Sequence, residues 1–348
     1  MSVDEDCVLV MRRITMRKIA LYGIFNFLSY ICIGLFAGST IKDAINYNKM
    51  LNSAPFWVFI LANAVTWLLP GAVFAGLAYY FQKRQKSRVS VPESEKSRAE
   101  LLQEFSEYDR NKDVSYDTQY HLGGDVPSIL EKYEFSNYIK DLDATSDEIV
   151  FKMLAFVCDH FGHDGGCRLT DKRNISGLIE FCESNDNKAN CRGLSMLLAS
   201  LLRLMGVKAR HITCMPYEDP FRDCHVVVDC LLPSGKRVML DPTYRLYLID
   251  EEGEYVSIER LRALLLKEKT IFANEDASYN GGDFDLEYYR NYMTKNTIRF
   301  SRGTLYQDGL DDYAARAVEL VPADYPIKNF TRLRRKDFVF DDREFWRM

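Results

Sequence analysis

Residues 190–206 read NCRGLSMLLASLLRLMG, and this stretch decides which fold the chain can adopt. Its apolar residues recur at intervals of three and four, which is the spacing of one face of an amphipathic helix. Asn190 suits the N-cap, where its side chain can accept a first-turn N–H, and Gly206 suits the position after the last turn. Cys191 is therefore predicted in the first turn, where the helix dipole favours an anion and lowers the pKa of a thiol.

The residues after this helix predict an antiparallel sheet. Residues 207–214 form a first predicted strand, and 224–232 and 237–241 form a hairpin around a Pro-Ser-Gly-Lys turn. His225 and Asp241 would then lie near each other at the open end of the hairpin. A base at one strand end and a carboxylate on the neighbouring strand can orient an imidazole. The pattern predicts a nucleophile, its general base and a carboxylate that orients the base.

Each of these three residues has a simpler interpretation when it is taken alone. A cysteine on an apolar helix is usually a small buried hydrophobic residue, and a histidine on a strand usually belongs to the core. The residues favour catalysis only together, in this order, with a capped helix and a hairpin that bring them to one place.

The same residues resemble the transglutaminase-like (papain-like) cysteine enzyme superfamily. The resemblance is carried by Asn-Cys-Arg-Gly at 190–193, LMGVKARHI at 204–212, His225, and Asp-Pro-Thr at 241–243. It extends over roughly residues 145–265, and the wider pattern is similar to bacterial membrane proteins that carry this domain.

The resemblance implies an α+β fold in which a catalytic helix packs on an antiparallel sheet. It also implies that Cys191 is the nucleophile, His225 the base and Asp241 the orienting acid. The chain departs from the family at two places. Members commonly carry an aromatic residue soon after the nucleophile and a tryptophan soon after the histidine, where this chain has Gly193 and Val227.

Two apolar segments predict an N-terminal membrane hairpin. Residues 19–41 and 55–81 carry no charged side chain, and each run is long enough to span a hydrocarbon core. Gly34 and Gly38 have the spacing that lets two membrane helices pack closely. Basic residues precede the first segment and follow the second, which predicts that both ends are cytoplasmic. Two alternatives to a membrane hairpin are buried helices of a soluble fold and a first segment that is a cleaved signal peptide. In the second case the other segment stops transfer and the large domain still lies inside.

The predicted organisation has five parts. Residues 1–18 are a cytoplasmic N-terminus, 19–82 a transmembrane helical hairpin, 83–144 a linker and helical approach, 145–265 the catalytic core, and 266–348 a C-terminal extension packed on the core. The predicted fold class is therefore α+β, with two N-terminal transmembrane helices followed by a transglutaminase-like domain. The predicted location is the cell membrane, with two spans and a cytoplasmic catalytic domain.

Composition excludes several other classes. The 348 residues carry a net charge of −5 without a basic tract beyond the segment flanks, so we expect no nucleic-acid partner. Nine cysteines without framework spacing do not predict a disulfide scaffold. Cys158, His160, His163 and Cys167 cluster in the sequence, but their spacing is not a usual zinc pattern, and we predict no metal and no cofactor.

The predicted function is that of a membrane-anchored cysteine enzyme that cleaves or transfers an amide acyl group, most readily as a peptidase. Water attack on the acyl-enzyme gives hydrolysis or glutamine deamidation, and amine attack gives transglutamination. A non-catalytic, membrane-anchored peptide-binding module on the same fold is the alternative class. The predicted partners are a protein or peptide substrate and the lipid bilayer, and the oligomeric state stays open.

Overall fold

The centre of the structure is an eight-stranded sheet with the Cys191 helix packed against its middle strands. This computed structural model describes residues 96–111, 117–140, 143, 145–217, 223–309, 317–326 and 337–348. All of them belong to one unit, Ser90–Met348.

The helices, in chain order, are α1 (Arg98–Glu104), α2 (Phe135–Ile139), α3 (Glu148–His160), α4 (Ile175–Glu183), α5 (Cys191–Leu204), α6 (Ile258–Leu266), α7 (Leu286–Asn296) and α8 (Asp342–Trp346), with a 3₁₀ helix at Ser128–Tyr133. The strands are β1 (Gln119–Tyr120), β2 (Gly162–His163), β3 (Lys188–Ala189), β4 (Ala209–Met215), β5 (His225–Leu231), β6 (Arg237–Asp241), β7 (Leu246–Asp250), β8 (Ile271–Ala273), β9 (Arg299–Gly303), β10 (Leu305–Tyr306), β11 (Ala317–Leu320) and β12 (Asp337–Val339).

The main sheet has the strand order β12-β11-β9-β4-β5-β6-β7-β8. Neighbouring strands are antiparallel except β11 and β12, which are parallel. The chain beyond residue 266 therefore contributes strands to the same sheet, and β9 lies between β4 and β11. Two short parallel pairs, β2 with β3 and β1 with β10, lie outside this sheet.

Helices cover both faces of the sheet. Successive side chains of a strand point to opposite faces, and Val227 and Val228 of β5 accordingly belong to two different apolar clusters. Val228 packs with residues of α3, α4 and α5, whereas Val227 packs with residues of α6, α7 and α8. The middle strands are therefore buried on both sides, which explains why every residue of β4 is buried.

Helix α5 begins and ends where the sequence predicts. The Asn190 side chain accepts the N–H of Gly193 at 2.9 Å, and Gly206 has a φ of 83° just after the helix. The helix is not half exposed, however, because the sheet covers one side and α3 and α4 cover the other. Two of its buried polar residues bond to the protein: the Ser195 hydroxyl donates to the Val226 carbonyl at 2.8 Å, and Arg203 donates to the Ala209 carbonyl at 3.0 Å.

The predicted membrane hairpin requires a correction. Within the ranges that the structure describes, no helix is long and apolar enough to cross a bilayer. The longest of them, α5, has 14 residues and so a length of about 21 Å, against a hydrocarbon core of about 30 Å. Residues 19–41 and 55–81 lie outside the described residues. The predicted fold class with two transmembrane helices is therefore wrong, and so is the predicted multi-pass membrane location with a cytoplasmic catalytic domain. The described residues form an α+β fold.

Candidate active site

Cys191 is the first residue of α5 and is half-buried. Its sulfur has hydrogen bonds with the side chains of His163 and His225 and with the backbone N–H of Val226. Burial alone would raise the pKa of this thiol, but these donors and the charge of His225 outweigh burial and lower the pKa to about 6. Cys191 is therefore a thiolate at neutral pH, which is the nucleophilic form.

His225 opens β5, and its side chain is buried. Its Nε2 lies 2.6 Å from Oδ2 of Asp241, which leaves Nδ1 for the sulfur of Cys191. Burial acts to lower the pKa of the imidazole, but the charge and hydrogen bond of Asp241 and the contact with the thiolate raise it to about 10. The two side chains thus form a thiolate–imidazolium pair that titrates as one unit.

Asp241 ends β6, and its carboxylate is fully buried. Besides the imidazolium, Oδ2 accepts the hydroxyl of Tyr289 at 2.9 Å, and Oδ1 accepts the backbone N–H of Thr243 at 3.0 Å. These donors satisfy the buried charge and fix the direction in which it faces His225. Tyr289, on α7, is not among the site residues predicted from the sequence, because it lies in residues 266–348, which are predicted as an extension packed on the core.

Aromatic side chains enclose the imidazole of His225. Its ring centroid lies 6.0 Å from Tyr244, 6.5 Å from Tyr289 and 5.4 Å from Tyr292. Gly193, two residues after the nucleophile, packs closely against the residues before the helix. A Cβ on Gly193 would lie 3.0 Å from the Cβ of Ala189, so no larger side chain fits there without movement.

The second histidine at the sulfur, His163, is also a residue that the sequence analysis did not assign to the site. Its Nδ1 lies 3.1 Å from the hydroxyl of Tyr279. Asn280 binds its backbone on both sides, accepting the N–H at 2.7 Å and donating to the carbonyl at 3.1 Å. No spacing rule links a histidine on β2 to a nucleophile 28 residues later, so only the fold reveals this contact.

The four residues that cluster in the sequence, Cys158, His160, His163 and Cys167, lie in different surroundings in the fold. The Cys158 thiol donates to the Pro242 carbonyl at 3.4 Å, and His160 lies among aromatic rings. Cys167 accepts an N–H of Asn185 at 2.6 Å, and His163 faces Cys191. Among the residues described, no group of three potential ligands comes together to hold a metal ion.

The described cysteines are all free thiols, and Cys191 differs from the others in its ionisation. In the other six, burial is the largest influence and raises the pKa: Cys158, Cys167, Cys182, Cys214, Cys224 and Cys230. Only Cys191, within this set, has a lowered pKa. Its chemistry therefore follows from its position in the fold and not from its residue type.

Comparisons with known proteins give one family and several solved structures. Residues 134–242 match the transglutaminase-like superfamily. No curated protein is significantly similar in sequence.

A candidate cysteine protease of Cytophaga hutchinsonii is 16% identical, with 33% of this chain and 37% of that one covered and a TM-score of 0.26. A candidate protease of Parabacteroides distasonis is 12% identical, with 46% of this chain and 31% of that one covered and a TM-score of 0.25. A TGase structure is 15% identical, with 47% of this chain and 38% of that one covered and a TM-score of 0.23. The chain thus spans less than two fifths of the length of each of these structures. The stretch that matches the transglutaminase-like superfamily, residues 134–242, contains Cys191, His225 and Asp241.

Proposed function

We propose that this protein is a cysteine enzyme that acts on amide bonds of proteins or peptides, with Cys191 as nucleophile, His225 as acid and base, and Asp241 as the residue that orients the imidazole. The observation that carries the proposal is geometric: the His225 side chain contacts the sulfur of Cys191, and its Nε2 lies 2.6 Å from the buried carboxylate of Asp241. A nucleophile, a base in contact with it and a third group that orients the base form the arrangement that covalent catalysis requires.

The first half of the reaction follows from these contacts. The sulfur of Cys191 attacks the amide carbonyl carbon, a C–S bond forms and the carbonyl π electrons move to oxygen. The N–H of Cys191 has no acceptor within its own helix and can donate to this oxygen. The imidazolium of His225 then protonates the amine nitrogen, the oxyanion re-forms the carbonyl as the C–N bond breaks, and an acyl-enzyme and a free amine result.

The second half returns the enzyme to its resting state. His225, now neutral, takes a proton from the attacking molecule as that molecule adds to the thioester, and the thiolate leaves. Water as the attacking molecule gives peptide hydrolysis, or deamidation when the acyl group is a glutamine side chain, whereas an amine gives a cross-link. We favour peptide hydrolysis, because water needs no second binding site.

The rival proposal, a non-catalytic peptide-binding module, does not account for the ionisation of Cys191. A binding groove gains nothing from a half-buried thiolate, which costs desolvation energy unless charged and polar partners surround it. Binding requires neither the imidazolium beside this sulfur nor the carboxylate behind the imidazolium. The arrangement therefore supports catalysis over binding alone.

The first experiment measures which thiol reacts. The purified full chain is treated with limiting iodoacetamide at neutral pH and the alkylated peptides are mapped. We expect Cys191 to react first, because it is the described cysteine with a lowered pKa. Cys224→Ser is the matched control, since Cys224 adjoins His225 but has a raised pKa, and it should leave the labelling of Cys191 unchanged. Preferential labelling of another cysteine would contradict the assignment of the nucleophile.

The second experiment identifies the reaction. Wild type, Cys191→Ala and His225→Ala are incubated with a defined peptide mixture and a primary amine, and products are identified by mass spectrometry. New peptide termini indicate hydrolysis, glutamate in place of glutamine indicates deamidation, and amine adducts indicate transglutamination. Both substitutions should abolish turnover, since the first removes the nucleophile and the second removes the proton donor and acceptor. Unchanged turnover by His225→Ala would refute the proposed roles.

A further inference from the structure

Two imidazoles contact the sulfur of Cys191, and the mechanism above uses only one of them. His225 approaches from β5 and His163 from β2, so the two rings come from different elements of the fold. His225 gives up and regains a proton during the reaction. That proton transfer does not need a second ring at the sulfur, so His163 must have a different role.

The backbone around His163 fixes its position beside the start of α5. His163 pairs in register with Ala189 of β3, and the N–H of Asp164 donates to the Ala189 carbonyl at 2.9 Å. Strand β3 ends two residues before Cys191. Asn280 then holds both backbone groups of His163 from the other side. The side chain is therefore held beside the nucleophile by its own strand and by an outside clamp.

The contact with Tyr279 identifies which ring nitrogen of His163 is left to face the sulfur. The sulfur of Cys191 is a thiolate and can only accept a hydrogen bond, so the nitrogen of His163 that faces it must carry a hydrogen. Because Nδ1 lies against the hydroxyl of Tyr279, the nitrogen left for the sulfur is Nε2. Burial raises the pKa of Tyr279, which keeps the phenol protonated and able to donate to Nδ1. A neutral ring then satisfies both contacts in one way only, with Nε2–H directed at the sulfur.

We propose that His163 is a further catalytic residue of this site, whose Nε2–H holds the Cys191 sulfur at rest and stabilises the carbonyl oxygen when the tetrahedral intermediate forms. The proposal depends on the function proposed above. As the C–S bond forms, the negative charge moves from sulfur to an oxygen bonded to the same carbon, so a donor at the sulfur is already beside the new charge. His163 keeps its proton throughout, and only its hydrogen-bond acceptor changes.

This role differs from the role of His225 in what it requires. A donor to the oxyanion must be present and oriented before the charge develops, and it need not change its protonation state. The contacts of His163 with Tyr279 and Asn280 supply that orientation. Together with the N–H of Cys191, the ring gives the oxygen two donors, one from the backbone and one from a side chain. Tyr279 and Asn280 are positioning residues, since they act through His163.

The test compares two reagents that attack the same sulfur. Iodoacetamide alkylates the thiolate at a saturated carbon and creates no oxyanion, whereas p-nitrophenyl acetate acylates it through a tetrahedral oxyanion. Rates with both reagents are measured across pH on the purified full chain. The variants are His163→Phe, which removes the donor and keeps a ring, and His163→Gln, which keeps an N–H donor. His160→Phe is the matched control, because His160 lies nearby in an aromatic cluster.

We expect His163→Phe to reduce the acylation rate about 100-fold, the usual effect of removing one oxyanion donor. Its alkylation rate on the high-pH plateau should stay within about threefold of wild type, because the thiolate itself is still formed. His163→Gln should recover at least tenfold of the lost acylation, and His160→Phe should match wild type with both reagents. Tyr279→Phe should lower acylation more than alkylation, since the ring of His163 loses the hydroxyl that holds its Nδ1 in place.

Equal losses with both reagents would overturn the proposal, because they would mean that His163 acts only on the formation of the thiolate. An acylation rate unaffected by both His163 variants would overturn it as well. Failure of the proposed function looks different, since wild-type Cys191 would then show neither preferential alkylation nor acylation. If His163→Phe does not fold, as circular dichroism would show, His163→Gln and Tyr279→Phe give the same comparison.

Discussion

Replacing Asp241 with asparagine should separate the electrostatic role of this residue from its role in packing. Oδ2 of the carboxylate accepts hydrogen bonds from His225 and Tyr289, and Oδ1 accepts one from the N–H of Thr243. All three partners are donors. An amide of the same shape offers only one oxygen. If that oxygen stays with Thr243, the NH₂ group faces His225 and forces the proton onto the nitrogen that faces the sulfur. The ring can then no longer accept a proton from Cys191.

The magnitude follows from the contact distance and the burial of the pair. A buried carboxylate 2.6 Å from the imidazole contributes much of the rise in the pKa of His225 to about 10. Losing this charge should lower that pKa by about 2, which corresponds to about 2.7 kcal/mol. The thiolate loses the same support, so the pKa of Cys191 should rise from about 6. In wild type, activity should increase as pH rises through about 6, where the thiolate of Cys191 forms. It should decrease as pH rises through about 10, where the imidazolium of His225 loses its proton. In Asp241→Asn the lower pH limit of activity should rise and the upper limit should fall, so the active pH range becomes narrower.

The assay is the pH dependence of two rates, alkylation of Cys191 by iodoacetamide and turnover of the peptide substrate. Turnover at neutral pH should fall about 100-fold or more, because the energy above corresponds to that factor. Asp223→Asn is the matched control, since this carboxylate is exposed, lies two residues before His225 and pairs with Lys295. Limits in Asp241→Asn that coincide with those of wild type would refute the reasoning.

Three other substitutions test single contacts. Tyr289→Phe removes one donor from Asp241 and should cost about 1 kcal/mol of stability and lower turnover severalfold, as measured by urea unfolding and kinetics. Asp229→Asn removes the charge between two arginines, one of them fully buried, and should destabilise the fold by about 3–5 kcal/mol in urea unfolding, whereas Glu254→Gln in an exposed pair should have little effect. Asn190→Ala removes the N-cap of α5 and should cost about 1 kcal/mol, with a rise in the pKa of the nucleophile seen by alkylation; an unchanged profile would contradict the role of the helix terminus.

Local signals in the sequence predict the parts of the site that depend on neighbouring residues. An asparagine before an apolar stripe and a glycine after it mark the two ends of α5, because capping is a local interaction. A short turn between two β-branched runs predicts the hairpin of β5 and β6, and hence the approach of His225 to Asp241. Both predictions need only contacts between residues close in the chain.

The remaining parts depend on contacts that no local pattern encodes. Tyr289 reaches Asp241 because α7 packs over the sheet, and His163 reaches Cys191 because β2 pairs with β3. The burial of Arg210 within β4 depends on Asp229 of the neighbouring strand and on carbonyls near the C-terminus of α8. These partners are set by the order of strands in the sheet, and sequence periodicity says nothing about that order.

The position of β9 has a consequence for how the site is assembled. Its pairing with β4 closes a long loop that contains the hairpin, β7, β8 and the two helices α6 and α7, and such closures are entropically costly and slow. Until β9 docks, β4 presents an unpaired edge that can recruit a strand from another chain. A fragment that ends with the family-matched residues at 242 would keep the three reactive side chains but lose the strand beside β4 and the hydroxyl that holds the carboxylate. Reactivity of the thiol and completion of the sheet should therefore appear in the same late step of folding.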